Sequence, residues 1–402
     1  MRILILHPNF PGQFKNVCQH FAAMGHEVVF LCQTHYNRTI KGVNRIRLKG
    51  SLGNESLDEL SLKAPDRAFK MGEQYLEAFQ QLKEKPWNPD VVISHSGWGC
   101  GTFTRYVWPK TKIISYLEWW FNSTSEIYSY DDQNQFLGLT PESSKKHWQR
   151  NSLIAQELSH ADHIVSPTKW QRSQLPEVFQ KQCQVIYDGI DLDKFTFSNK
   201  RVSKAFSKLG QYISYGTRGM EPMRGFPQFI QSIPLILQTK PQLKVVIAGE
   251  DEVHYGGNKP SQEGTWKKWA IKFLEKSNCI SNVIWTGRLD EDKYIEWLQN
   301  SDCHVYLTHP YVLSWSFIEA FLCSDKVIAS DVRPVQEFIG NDNPGLVDHR
   351  KPASIAKGVI RLLESPHTTS EAQSQIKFEK LGVNSCMEAW TVVAGLKVAT
   401  DH

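Results

Sequence analysis

Short apolar runs recur along the chain, each followed by a longer stretch with apolar residues at helical spacing. RILILH (2–7), EVVFLCQ (27–33), DVVISH (90–95), KIISYLE (112–118) and HIVSPT (163–168) lack polar alternation. That pattern predicts strands covered on both faces, as in a parallel α/β sheet. FKNVCQHFAAMG (14–25) has helical spacing and stops at Gly25, a residue suited to a helix end. The region 51–86 is charged and helical in pattern. A second series follows, with YISYGT, KVVIAGE, NVIWTG, CHVYLTH and KVIASD as strand-like runs. PQFIQSIPLILQ, TWKKWAIKFLE, DKYIEWLQN and SFIEAFLC read as the helices between them. No sequence repeat relates the halves; the same β-α order is used twice. ASIAKGVIRLLE (353–364) and MEAWTVVAGLKVA (387–399) add one or two helices at the end.

With 402 residues the chain is too long for one core and suits two domains of roughly 200 residues. We expect an N-terminal, acceptor-side domain over 1–195, a C-terminal domain over 205–375, and a last helix within 376–402 that crosses back to the first domain. The polar, basic stretch SNKRVSKAFSK (198–208) reads as the linker. Lys plus Arg number 46 against 42 Asp plus Glu, a net charge of +4 without long basic runs. This excludes nucleic acid as the main partner. No stretch approaches the roughly 18 apolar residues of a membrane span, and MRILILHPNF reads as a first strand, not a signal peptide. The eight cysteines stand far apart, with no two within four residues. A local zinc knuckle or CxxC pair is therefore excluded, and reduced core thiols in a cytoplasmic protein are expected. Most of the 13 Trp read as core packing, with a sugar, base or membrane-interface site as the other use of such surface.

Ligands of open parallel sheets bind beyond the C-terminal ends of the strands, so the loops there carry the chemistry. In the second series, YGTRGMEPMRGF sets Arg218 and Arg224 six residues apart among glycines. Two guanidinium groups on such a loop suit a diphosphate, gripped in bidentate fashion; the alternative is two solvated arginines beside a turn. THPYVLSWSFIEAFLC carries Ser316 and Glu319 as an S-x-x-E capping box opening a helix, whose N-terminus is an anion site. Glu319 then either caps its own helix or accepts a hydrogen bond from a ribose hydroxyl, while turn N–H groups at Ser314 and Trp315 take phosphate. In the first series, Gly12 of HPNFPGQF lets backbone approach a ligand closely. The G-x-G-x-x-G spacing of the hydride-transfer cofactors is absent. SHSGWGCG (94–101) has alternating glycines but no strong motif. His95 and Glu118 stand at strand ends, where each is either a cleft residue or incidental.

On these loops the chain resembles the retaining GT-B glycosyltransferases of family GT4, the glycosyltransferase group 1 superfamily. HPNFPGQF, SPTKWQRSQLP, VIYDGIDLDKF, YGTRGMEPMRGFPQF, VVIAGED, WTGRLD and LSWSFIEAFLCSDKVIASDVRPVQEFI carry the resemblance, in order and over nearly the whole chain. It implies two Rossmann-like, doubly wound domains facing across a cleft. It also implies that Arg218 and Arg224 hold the donor diphosphate, Arg224 standing where the family usually has Lys. Glu319 would match the second Glu of the E-x7-E motif and bind the ribose. Leu289 would lie by the base, Gly12 by the phosphates and the acceptor side, and the strand end held by Glu118 near donor and acceptor. Tyr311 stands where the first Glu of that motif would be, and Glu118 where the family often has His. Both departures bear on which sugar is used.

The implied reaction moves a sugar from a nucleoside diphosphate, UDP first and GDP second, to an acceptor hydroxyl with retention. Base, sugar and acceptor are left open; the acceptor is a sugar, a small molecule or a lipid-linked group. No resident metal or cofactor is implied, since neither a D-x-D element nor paired carboxylates stand at a strand end; Asp131 and Asp132 are merely adjacent. Alternatives from other classes are a catalytically weak nucleotide-sugar binder, motivated by Tyr311, and a nucleotide-sugar epimerase on the same fold. Trp119, Trp120 and Phe121, with Lys145, Lys146, His147 and Trp148, admit peripheral membrane contact; packing of the trio and a solvated helix face are the other explanation.

Overall fold

A computed structural model describes residues 1–35, 37–48, 63–137, 139, 141–197, 206–366 and 378–396. Most of the linker call, residues 198–205, and a third of the region 51–86, residues 51–62, lie outside these residues. The chain divides into two compact units. The first comprises Met1–Ser125, Pro141–Ile190 and Glu379–His402, and the second Glu126–Thr140 and Asp191–Phe378.

Among the described residues the first unit carries a parallel sheet of seven strands: β1 (Arg2–Leu6), β2 (Glu27–Cys32), β3 (Val43–Arg47), β4 (Val91–His95), β5 (Lys112–Tyr116), β6 (His163–Ser166) and β7 (Cys183–Val185). Their order is β3-β2-β1-β4-β5-β6-β7. Ile3, Leu4, Ile5 and Leu6 are fully buried, which is why β1 reads as an unbroken apolar run: both of its faces are covered. The helix Lys15–Ala23 follows β1 and ends before Gly25, whose φ of 78° suits glycine. The helix Val383–Ala394 packs on this unit, with His20 Nε2 2.7 Å from the Thr391 hydroxyl and Lys112 Nζ donating to the Val393 carbonyl at 3.2 Å.

The second unit repeats the plan with six parallel strands among the described residues: β8 (Tyr212–Gly219), β9 (Lys244–Glu250), β10 (Val283–Gly287), β11 (Cys303–Tyr306), β12 (Val327–Ser330) and β13 (Leu346–Val347). The order is β10-β9-β8-β11-β12-β13. Its core is dense in aliphatic and aromatic residues, among them Ile213, Phe229, Ile247, Trp266 and Val305. Thr265 caps the helix Trp266–Lys276 by accepting the Lys268 N–H, and Asp290 caps the helix Glu291–Asn300 by accepting the Lys293 N–H. Residues 126–140 fall inside the span expected for the first domain, yet they cluster with the second unit. Phe136 explains this locally: its ring meets Trp266 edge-on at 5.0 Å and its carbonyl accepts the Asn258 N–H.

Both sheets are doubly wound, and in each the strand order reverses at one point. That switch point, where crossover helices leave to opposite faces, is where such sheets hold ligands. It lies between β1 and β4 in the first unit and between β8 and β11 in the second.

Candidate functional site

At the second unit's switch point, the loop after β8 closes in a 3-10 turn, Pro222–Arg224, and Gly225. Gly225 has φ 61°, and a Cβ there would lie 2.9 Å from the Leu307 side chain, so only glycine fits. This turn drives Arg224 inward, where it is 2% exposed. Its Nη1 donates to Thr308 Oγ1 at 2.6 Å, Tyr306 Oη at 3.2 Å and the Val312 carbonyl at 3.3 Å. The Tyr255 ring lies 4.5 Å from the guanidinium carbon. Nη2 is buried without a hydrogen-bond partner among the described residues. The neighbouring carboxylate, Glu221, accepts the N–H groups of His254, Tyr255 and Gly256 on one oxygen, while its other oxygen is buried without a hydrogen-bond partner among the described residues; burial raises its pKa, and its charge attracts Arg224. A buried cation with one nitrogen unused is costly unless an anion joins it.

The two arginines do not form one grip here. Arg218 is exposed at the end of β8, while Arg224 is locked below the surface. The helix after β11 also starts elsewhere than the capping-box expectation put it. Ser314 is the N-cap of the helix Trp315–Cys323, so Ser316 lies inside the first turn, 2.8 Å from the Ser314 hydroxyl. Glu319 does not reach back to the cap; it accepts the Tyr294 hydroxyl at 2.9 Å. Burial raises its pKa to about 7. The Ser314 N–H is also occupied, donating to Tyr306 Oη at 3.1 Å. Tyr306 thus ties Arg224 to the helix start. Trp315 is exposed, and Leu289 is half-buried just past β10.

Segment 126–140 brings residues to this edge that sequence spacing did not pick out. His309, fully buried in the loop after β11, sets Nε2 3.2 Å from Asp131 and Nδ1 3.3 Å from the Met223 carbonyl, next to Arg224. Tyr130 stacks on His349 and lies under the Arg350 guanidinium at 4.6 Å. Asp131, set aside as merely adjacent to Asp132, is thus held at the switch point by a contact 178 residues away in sequence.

In the first unit, His95 and Glu118 meet: Nε2 lies 3.6 Å from Oε2. His95 Nδ1 faces the Ser96 carbonyl at 3.0 Å, so each ring nitrogen faces an acceptor. His7 packs edge-on against His95 at 5.0 Å and accepts the Asn9 N–H on Nδ1 at 2.9 Å. Burial, then the neighbouring His95, depresses the His7 pKa. Gly12 belongs to the same cluster, with φ 56° and the His7 ring 2.9 Å from where a Cβ would stand. Glu157 is the residue that sequence reasoning missed: buried in the helix Pro141–Ser159, it accepts the N–H groups of Gly97 at 2.7 Å and Gly101 at 3.2 Å. Burial raises its pKa to about 7.

Trp119 and Trp120 are each only 6% exposed. They therefore do not offer an interfacial surface, and that part of the membrane expectation is overturned. Lys145, Lys146 and Trp148 are exposed on the helix Pro141–Ser159. No helix among the described residues is long and apolar enough to cross a membrane.

Comparison with known proteins gives concordant matches. The family described as glycosyl transferase family 4 group matches residues 24–195, and that of glycosyl transferases group 1 matches residues 199–379. A phosphatidyl-myo-inositol mannosyltransferase of Propionibacterium freudenreichii subsp. shermanii is 28% identical over 162 residues, 38% of this chain and 35% of that protein. The match thus spans about a third of that relative's length. Among solved structures, a sucrose-phosphate synthase from Thermosynechococcus elongatus superposes with a TM-score of 0.70 at 16% identity, covering 98% of this chain and 100% of that one. HepE of Anabaena, solved in complex with UDP, gives 0.68 at 13% identity over the same shares. An α,α-trehalose-phosphate synthase (UDP-forming) from Burkholderia vietnamiensis gives 0.67 at 12% identity, again over 98% and 100%. At these identities the structural likeness speaks for a shared GT-B fold.

Proposed function

The chain belongs to the group 1 glycosyltransferases of family 4, and on that premise we propose that it moves a sugar from a nucleoside diphosphate to an acceptor hydroxyl with retention of configuration. The observation that carries the reading is Arg224: a buried guanidinium at the switch point of the second sheet, with Nη2 lacking a partner. An anion with oxygens at hydrogen-bond distance meets that need, and a diphosphate supplies several. Arg218, exposed on the same loop, is free to close on the outer phosphate oxygens. Glu319 accepts a ribose hydroxyl, with Tyr294 holding its carboxylate in place. Leu289 lies against the base, while Ser314, Trp315 and Ser316 border the donor at the helix start.

In the reaction the bond between the sugar C1 and the diphosphate oxygen breaks, and the acceptor oxygen bonds to C1 on the same face. The acceptor proton passes to the leaving phosphate oxygen. Negative charge grows on the diphosphate as the sugar becomes oxocarbenium-like, so a fixed guanidinium stabilises the transition state more than the ground state. In the first unit His95, Glu118 and Gly12 serve the acceptor side. A UDP-linked donor is the first choice and a GDP-linked donor the second, the named complexes of the fold relatives being with UDP. Lys145, Lys146 and Trp148 offer a basic, aromatic face for peripheral contact with an anionic membrane.

A thermal-shift screen of UDP-, GDP- and ADP-sugars tests the donor, since a ligand of the native state raises the melting temperature with occupancy. Anomeric analysis of the product by NMR tests retention. An inverted product refutes the same-face transfer, and product formed without acceptor points to the epimerase instead.

A further inference from the structure

The partners of Arg224 are not equally exposed. Tyr306, Thr308 and Val312, which receive hydrogen bonds from Nη1, are all buried. Tyr255, whose ring lies 4.5 Å from the guanidinium carbon, is 37% exposed. The ring therefore stands on the solvent side of the cation. Nη2 is buried and has no hydrogen-bond partner among the described residues.

The backbone that carries Tyr255 is fixed to the arginine turn. Glu221 accepts the N–H groups of His254, Tyr255 and Gly256 on one oxygen, at 2.7, 2.8 and 3.3 Å. Asn258 donates its N–H to the Phe136 carbonyl at 2.6 Å. The two loops also abut closely: a Cβ on Gly219 would stand 2.4 Å from the Glu252 carbonyl oxygen, and one on Gly257 2.6 Å from Pro222 Cγ. Lifting this loop would strip three charge-assisted hydrogen bonds from a buried carboxylate, which is costly. The Tyr255 side chain, with a third of its surface in water, needs only a change of rotamer to leave the guanidinium.

An anion that bonds Nη2 has to arrive from the solvent side, which the ring occupies. Ring and anion thus compete for one cation: the ring attracts it through its quadrupole, a phosphate through full charge and hydrogen bonds. We infer that Tyr255 is a gate on the donor site, closed over Arg224 and turned aside by a rotamer change as the diphosphate binds. The gate presupposes the donor reading and deepens it, since nucleotide binding then includes an opening step at one side chain. A cation–π contact to a desolvated arginine favours the closed form over the open one by roughly five- to thirtyfold, and the apparent affinity of the nucleotide falls by the same factor.

Calorimetric titration of UDP, with GDP run in parallel, into the full-length wild type, Tyr255→Phe and Tyr255→Ala tests this, each protein shown folded by its melting curve. Tyr255→Ala, which has no ring to move, should bind the nucleotide at least fivefold more tightly than wild type. Tyr255→Phe keeps the ring and should bind within twofold of wild type. An unchanged affinity in folded Tyr255→Ala overturns the gate, and a weakened one does so by making the ring part of the ligand's own binding surface. In both cases wild-type binding leaves the donor reading standing, whereas wild-type protein that binds neither nucleotide refutes the donor reading and the gate with it.

Discussion

Arg224 Nη1 donates to the Thr308 hydroxyl at 2.6 Å, joining the loop after β8 to the loop after β11 across the switch point of the second sheet. The contact fixes the guanidinium plane and leaves Nη2 as the group that a ligand must satisfy. The two loop arginines should therefore differ in kind. Arg224→Ala is expected to lower transfer by about 10²–10³-fold, the usual cost of losing a preorganised donor. It should also lower the melting temperature, because the hydroxyls of Tyr306 and Thr308 lose their common partner. Arg218→Ala, at an exposed position, should leave the melting temperature unchanged while slowing turnover. Steady-state rates and thermal melts of the two variants check this.

Glu319 must be ionised to accept a ribose hydroxyl on either oxygen, and burial lifts its pKa to about 7. Nucleotide affinity should accordingly strengthen as pH rises through about 7 and weaken below it. Glu319→Gln should flatten this dependence. Tyr294→Phe removes a donor that favours the carboxylate, so the midpoint should move upward. Calorimetric titrations of UDP between pH 6 and 8, with the Gln variant as reference, measure the difference.

Glu157 binds its proton more tightly in the folded protein than in the unfolded chain, with a pKa raised to about 7 by burial. Between its ordinary carboxylate range and about pH 7 the folded state carries the extra proton, so its contribution to stability falls as pH rises through that window. In Glu157→Gln this decline should be absent, at the cost of a lower melting temperature throughout, since the amide cannot accept both glycine N–H groups with oxygen. Melting curves of both proteins at pH 5, 6, 7 and 8 report the difference, which is insensitive to the histidines common to both.

Gly12 has φ 56° and its missing Cβ would stand 2.9 Å from the His7 ring. Gly12→Ala should destabilise the first unit by about 1–2 kcal/mol through left-handed strain, and displace His7 from His95. Gly25, which has φ 78° and open space around it, supplies the control: Gly25→Ala incurs positive-φ strain without the clash. A smaller loss in melting temperature at Gly25 than at Gly12 is the expected result.

Much of this fold is legible in the sequence, and the exceptions share a cause. β3, β7 and β13 escape the apolar-run criterion, and each lies at the edge of its sheet. An edge strand is covered less completely: VNRIR of β3 is half exposed along its length and CQV of β7 buries only Cys183. Their sequences therefore need not be unbroken apolar runs. Arg224 and Glu319 stand out by motif, but their environments do not. The Arg224 turn depends on Gly225 meeting Leu307, and the start of the helix after β11 depends on Tyr306 engaging Ser314. Glu157 is 60 residues from the glycine it holds and Asp131 is 178 from His309. Such pairs form only once crossovers bring distant loops to one sheet edge, and no local spacing encodes them.

Calorimetric titration of UDP into wild-type protein and Arg224→Ala, each shown folded by its melting curve, probes the assignment of the second unit's switch point most directly. Wild type should bind UDP, or failing that GDP, and the variant should lose at least tenfold in affinity. A folded Arg224→Ala protein that binds the nucleotide as tightly as wild type would contradict it.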